Sequence, residues 1–147
     1  MLSPLNEIDE IRKASEHLYD ALNHMLNGDS CLMDSIWSHS PAVTTMHPFG
    51  GREVGWDKVR ETWDQLARQT SEGEVKLRDQ LIQVDEDMAY EVGTEQGQVK
   101  LGGRQASMEH RVTNIYRREA GRWKVVHHHA DISPAMMDIL GHLKAKK

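Results

Sequence analysis

Apolar residues in the first part of the chain recur at helical spacing. Ile8, Ile11, Leu18, Ala21, Leu22, Met25 and Leu26 fall on one face of a helix running from Asn6 to Leu26, because residues three and four apart stack on the same side of a 3.6-residue turn. Asn6 is placed to cap it and Gly28 to stop it. Tyr19 and the His17/His24 pair lie off or at the edge of this stripe, which predicts surface positions for both imidazoles. Asp29-Ser30 can cap a short second helix whose buried side is Leu32, Met33, Ile36 and Trp37, and Pro41 breaks the chain after it. Ala42 to Met46 reads as a short strand, and His47-Pro48-Phe49-Gly50-Gly51 as a turn. A third helix from about Gly55 to Gln69 has Trp56, Val59, Trp63, Leu66 and Ala67 as its apolar face.

From Glu74 the period changes to two. Val75, Leu77 and Leu81 alternate, and Ile82 and Val84 continue in the opposite phase, so a bulge is expected near Leu81. After a turn at Asp85-Glu86-Asp87 comes a strand with Met88, Tyr90, Val92 and Thr94 on one face and Ala89, Glu91, Gly93 and Glu95 on the other. Gly102-Gly103 turns the chain into a long strand from Arg104 to Arg118. A turn at Ala120-Gly121 leads to Arg122-Trp123-Lys124-Val125-Val126-His127-His128-His129-Ala130-Asp131. On a regular strand Trp123, Val125, His127 and His129 share one face. Two imidazoles following two apolar residues make a half-apolar, half-polar pocket wall. His128 then points away, to the surface or a subunit interface; a one-residue bulge would exchange the faces. Ser133-Pro134 reads as an N-cap and first helical residue, opening a last helix with Met136, Met137, Leu140 and Leu143.

Helices first and consecutive antiparallel strands later predict one α+β domain over residues 1–147. A bent sheet closing over a helical layer leaves one concave cavity. The formal net charge of −5 and the lack of a basic stripe argue against a nucleic-acid partner. No apolar run is long enough to span a membrane, and the N-terminus lacks the layout of a signal peptide. Cys31 is the single cysteine, so no internal disulfide forms and a reducing, cytoplasmic setting fits. It is expected to be a buried, inert thiol on the second helix.

Thr45-Met46-His47-Pro48-Phe49-Gly50-Gly51, Ala89-Tyr90-Glu91-Val92-Gly93, and Arg111 to Arg118 leading into Trp123 to Asp131 resemble the nuclear transport factor 2-like superfamily, in its SnoaL-like or DUF4440-like branch. The resemblance covers nearly the whole chain. It implies a cone-shaped fold with a ligand pocket between helices and a strongly curved, mostly antiparallel sheet, and it implies homodimers. The ketosteroid isomerases of this superfamily carry an Asp base in an Asp-Pro-x-Gly turn, which reads His47-Pro48-Phe49-Gly50 here. An imidazole can serve as a base there. Their oxyanion Asp falls near Thr113, and Tyr19 lies about half a turn from the place of their tyrosine. Thr113 is a far weaker donor than a neutral carboxylic acid, so steroid isomerisation by that mechanism is not expected, and the cavity stays open to a different reaction.

The expected site combines His47 as base with His127 and His129 as proton partners or oxyanion donors. Arg111 and Thr113 would anchor the polar part of a ligand, and Glu95 would hold Arg111 across adjacent strands. Trp37, Trp56, Trp63 and Tyr90 would form apolar walls. A competing reading makes His127 and His129 metal ligands, completed by His47, Glu95 or Asp131. No metal or cofactor is assigned. Gly-rich phosphate loops and the nucleophile elbow are absent from the sequence. The expected function is binding of an apolar small molecule in an enclosed pocket, with isomerase-, cyclase- or dehydratase-type acid/base chemistry. A non-catalytic ligand-binding or sensing domain, or a dimeric interaction domain, is the alternative.

Overall fold

The computed structural model describes residues 4–145. Its elements run α1 (Pro4–Met25), α2 (Met33–Ile36), β1 (Thr44–His47), β2 (Gly50–Val54), α3 (Trp56–Gln69), β3 (Thr70–Asp85), β4 (Met88–Leu101), β5 (Arg104–Glu119), β6 (Arg122–Ala130) and α4 (Pro134–Ala145). The strands form one curved, unclosed sheet in the order β2-β1-β6-β5-β4-β3. Every neighbouring pair is antiparallel except β1 with β6. The α+β architecture of the expected cone is therefore present. The turn expected at 47–51 is shorter than read: Gly50 already begins β2, which pairs back on β1.

α1 lies against β3, the edge strand. An edge strand has unpaired peptide groups, and two asparagines of α1 satisfy some of them. Asn23 accepts from Val75 N at 2.7 Å and donates to Val75 O at 3.2 Å. Asn27 does the same at Gly73, at 3.2 and 2.8 Å. The helix can sit this close because position 73 has no side chain: a Cβ there would stand 2.5 Å from Leu26 Cβ and 2.9 Å from its carbonyl oxygen.

The long strands alternate as their sequence does. Ala106, Met108, His110, Val112, Asn114 and Tyr116 of β5 are buried against the helical layer. β4 reverses the usual pattern. Its buried residues include Glu91 and Glu95, whereas Met88 and Tyr90 stand on the outer face, each 43% exposed. The bulge expected near Leu81 occurs between Arg78 and Leu81. A second bulge lies in β6, where Ile115 pairs with His127 but Tyr116 pairs with Val125. Val126 is the extra residue, and after it every side chain changes face. Trp123 and Val125 face the helices, and so does His128, while His127 and His129 face out.

Candidate functional site

Four strands converge on one buried cluster. β1 ends in His47, β4 supplies Glu95, β5 His110 and β6 His128. All four side chains are less than one-tenth exposed. They line a cavity of about 50 Å³, closed by Leu22 of α1, Phe49 beside β1, Trp63 of α3 and Met136 of α4. α4 is held in place at its start as the sequence predicts: Met136 N donates to Ser133 Oγ at 3.3 Å, and Met137 N to Ser133 O at 3.0 Å. His47 stacks on Phe49 with ring centres 4.9 Å apart and meets Trp63 edge-on, also at 4.9 Å. His128 lies 6.2 Å from His47 and 5.7 Å from Trp63, between ring centres. A larger open groove of about 570 Å³ runs between α1, α2 and β6, over Ala14, Ile36 and Trp123, with Glu10, Lys13, His17, Asp20, Arg122 and Lys124 also lining it; it lies outside the buried histidine cluster.

Hydrogen bonds join the cluster to a second buried carboxyl group. Glu95 accepts from Tyr19 Oη and His110 Nε2, both at 2.7 Å. Asn114 Nδ2 donates to Tyr19 Oη at 3.3 Å and to Glu91 Oε2 at 3.0 Å, and Asn114 Oδ1 accepts from His128 Nδ1 at 2.6 Å. Glu91 also accepts from Tyr116 Oη and, at 2.8 Å, from Gln80 Nε2. No Lys or Arg pairs with either carboxyl group among the described residues. The network is satisfied instead by neutral donors and imidazoles, as a buried charge requires.

The electrostatic consequences follow from burial. Burial raises the Glu95 carboxyl, but the His110 hydrogen bond, the neighbouring His128 and Tyr19 outweigh it and hold Glu95 below the ordinary carboxylate value. Burial, followed by the Glu95 charge, pushes Tyr19 well above the usual phenol value, so it remains a donor. Burial lowers His128 to about 4 despite the attraction of Glu95, and the ring is neutral at pH 7.

Three buried nitrogens at the cavity lack a hydrogen-bond partner: His47 Nε2, His110 Nδ1 and Trp63 Nε1. His47 Nε2 is 3.2 Å from Glu53 Oε1; burial raises the Glu53 carboxyl, but this contact outweighs it and holds Glu53 below its ordinary value. Unpaired buried polar atoms are uncommon and each needs a reason. All three belong to residues that line one cavity, an arrangement that suits a ligand with polar atoms. Because His110 Nε2 donates to Glu95, Nδ1, the unpartnered atom, is the nitrogen that bears the lone pair whenever the ring is in its neutral form. Among the described residues no group of three or more His, Cys, Asp or Glu side chains is arranged to hold a metal ion.

Of the residues singled out from the sequence, His47, Glu95 and Trp63 meet in this cavity. Trp37 and Trp56 lie behind Trp63 in the core, with Trp37 ring centres 6.2 Å from Trp63 and 6.4 Å from Trp56. The others correct the expectation. His127 and His129 face away from the cavity because of the Val126 bulge; their ring centres are 6.0 Å apart on the outer face, and His127 Nδ1 is 2.6 Å from Thr44 Oγ1. Arg111 pairs with Asp131 at 2.7 Å on the exposed face, not with Glu95, since Glu95 lies opposite His110. Thr113 and Tyr90 share that outer face. Cys31 is exposed rather than buried, and its hydrogen bond to Asp29 raises the thiol above its ordinary value. The sequence reading missed Tyr19, His110, Asn114 and His128. His110 and Asn114 were discoverable from the alternation of β5, which places them beside Met108, Val112 and Tyr116.

The family model described as SnoaL-like domain matches residues 11–136. No curated protein matches the chain. Similar solved structures include a Streptomyces avermitilis protein provisionally described as a dehydratase of the NTF2-like family, with 24% identity and a TM-score of 0.78 over 89% of this chain and 99% of that one. A Novosphingobium aromaticivorans protein, provisionally described as an aromatic ring hydroxylase, has 17% identity and a TM-score of 0.74 over 89% and 92%. The association domain of Caenorhabditis elegans CaMKII has 18% identity and a TM-score of 0.64 over 86% and 95%. At these identities the likeness is one of fold. No helix of the described residues is long and apolar enough to cross a membrane.

Proposed function

The chain belongs to the SnoaL-like domain family, and from that premise we propose that it binds a small, mostly apolar molecule in the histidine cavity and transfers a proton on it. The supporting observation is the buried Glu95–His110 pair with His110 Nδ1 unpartnered at the cavity. A carboxylate behind an imidazole fixes its tautomer and stabilises its protonated form. His110 is the proton-transfer group in this reading. His47 Nε2 and Trp63 Nε1 are donors to an oxygen of the ligand, where negative charge develops. The dehydratase-type and isomerase-type reactions expected of the family both begin with such a proton transfer.

A cavity of about 50 Å³ is smaller than the roughly 150 Å³ that holds benzene in an engineered apolar core. Ligand entry therefore displaces Met136 and with it the start of α4. The test is a titration with 4-nitrophenol, whose ionisation is visible in its absorbance. Wild-type protein is expected to bind it and ionise it below its ordinary pKa. His110→Gln should still bind but leave the phenol protonated, and Met136→Ala should bind more tightly. Equal ionisation by His110→Gln removes His110 from the role; absence of binding by wild type and Met136→Ala alike removes the small-molecule reading.

The outer sheet face supports a homodimer. Leu81, Val92, Thr113 and His129 form one cross-strand row, and Gln83, Tyr90, Ile115 and His127 the next. Leu81 is 54% exposed, and such apolar surface clustered on one face is a mark of association. Wild-type protein should sediment as a dimer, and Leu81→Arg combined with Tyr90→Arg as a monomer. A monomeric wild type at micromolar concentration sinks this assignment.

A further inference from the structure

We infer that Glu91, which does not line the cavity, is a positioning residue that sets which nitrogen of His128 carries the proton. This role rests on the acid/base reading of the cavity and extends it inward. Glu91 Oε2 accepts from Asn114 Nδ2 at 3.0 Å and from Tyr116 Oη, while Oε1 accepts from Gln80 Nε2 at 2.8 Å. Both oxygens already act as acceptors, Oε1 toward Gln80 and Oε2 toward Tyr116, so the amide of Asn114 turns its NH₂ toward Glu91. Tyr19 Oη, whose own proton goes to Glu95, accepts from the same NH₂ at 3.3 Å. Both neighbours thus demand one amide orientation.

That orientation leaves Asn114 Oδ1 facing His128 Nδ1, 2.6 Å away. A carbonyl oxygen only accepts, so Nδ1 must be protonated, and on a neutral ring Nε2 is then the lone-pair atom. His128 lines the cavity, and Nε2 is the ring nitrogen left to serve it. A flipped amide would reverse everything: NH₂ toward Nδ1, proton on Nε2, and a donor where the cavity now has an acceptor. Glu91 Oε2, the nearer of the two acceptors at 3.0 Å against 3.3 Å for Tyr19 Oη, is the stronger hold against the flip. This accounts for a carboxyl group at 0% exposure on the inner face of β4, among the buried Ala89, Val99 and Leu101.

The experiment is nitrogen NMR of protein labelled at histidine, at pH 7 and without ligand. Wild-type His128 should show one tautomer, protonated at Nδ1. Glu91→Leu removes the nearer acceptor and leaves only the 3.3 Å contact to Tyr19 Oη, so the amide is loosened and His128 becomes a mixture of tautomers or moves to the Nε2-protonated form. Glu91→Gln should keep the wild-type tautomer, since its carbonyl oxygen can accept from Asn114 and the exposed Gln80 can turn to meet its NH₂. Adding Asn114→Asp to Glu91→Leu should restore Nδ1 protonation, because a carboxylate has no amide to flip. A wild-type ring protonated at Nε2, or an unmixed Nδ1 tautomer in Glu91→Leu, overturns the inference. The wild-type spectrum decides the first of these even where Glu91→Leu does not fold. The readout needs no ligand and no turnover: intact tautomer control together with equal nitrophenol ionisation by His110→Gln would uphold Glu91 and reject His110.

Discussion

Glu95→Ala is expected to lower the unfolding free energy by about 2–6 kcal/mol at neutral pH, the cost of leaving two buried donors without their acceptor. The loss is not mainly the loss of packing. Tyr19 Oη and His110 Nε2 each donate to this carboxylate at 2.7 Å, and both are buried. With alanine both donors are orphaned, and each orphan costs about 1–3 kcal/mol. Glu95→Gln keeps the shape and one accepting oxygen, so its cost should be about half that or less. Against a typical total margin of roughly 5–15 kcal/mol, the alanine variant loses a large share of its stability. Guanidinium unfolding followed by circular dichroism measures this directly. An alanine variant within about 1 kcal/mol of wild type would mean that the network contributes little to folding. Activity lost in Glu95→Ala would therefore be ambiguous, which is why His110→Gln carries the functional test.

Acid should destabilise the protein well before ordinary carboxylates are neutralised. Burial holds His128 at about 4 in the folded chain, against about 6.5 for an unfolded histidine. As the pH falls below 6.5 the unfolded chain binds a proton at this ring and the folded chain does not. Folding is then increasingly disfavoured until about pH 4, below which both states are protonated. The full effect of His128 is about 3 kcal/mol across that window. His127, lowered by burial and then by His129, acts in the same direction. Glu95, held below its ordinary value, adds a further loss as it is protonated at still lower pH. Stability measured from pH 7.5 to 4 should thus fall, and the fall should be shallower in His128→Gln, whose amide can still donate to Asn114 but does not titrate. A wild-type profile that is flat between pH 6.5 and 4.5 would contradict a neutral, buried His128.

Several features of the site were open to sequence reasoning and several were closed to it. The strand and helix succession, the bulge near Leu81 and the cap at Ser133 follow from local spacing and local hydrogen bonding. His47 was singled out differently, through the resemblance of its His-Pro-x-Gly turn to the Asp-Pro-x-Gly turn of the ketosteroid isomerases. Glu95 was also singled out, but with Arg111 as partner, because sequence alone does not show which residue of the neighbouring strand lies opposite. The register pairs Glu95 with His110 and Thr94 with Arg111. Tyr19 illustrates another limit. It sits at the edge of the α1 stripe, and its burial depends on a carboxylate from β4 waiting beneath it. Nothing within a helix reveals that.

The amino-acid sequence by itself determined the elements of this protein, their order and the α+β class, since hydrophobic periodicity is a property of neighbouring residues. Tertiary structure decided which faces look inward. In β4 the apolar Met88 and Tyr90 face out while Glu91 and Glu95 face in, a choice made by the donors that meet those carboxyl groups across the core. In β6 one extra residue, Val126, lets β6 keep its pairing with β5 and turns His128 inward and His127 and His129 outward. The side-chain period of a strand is two, so a single bulged residue is enough to exchange the site histidine with its neighbours.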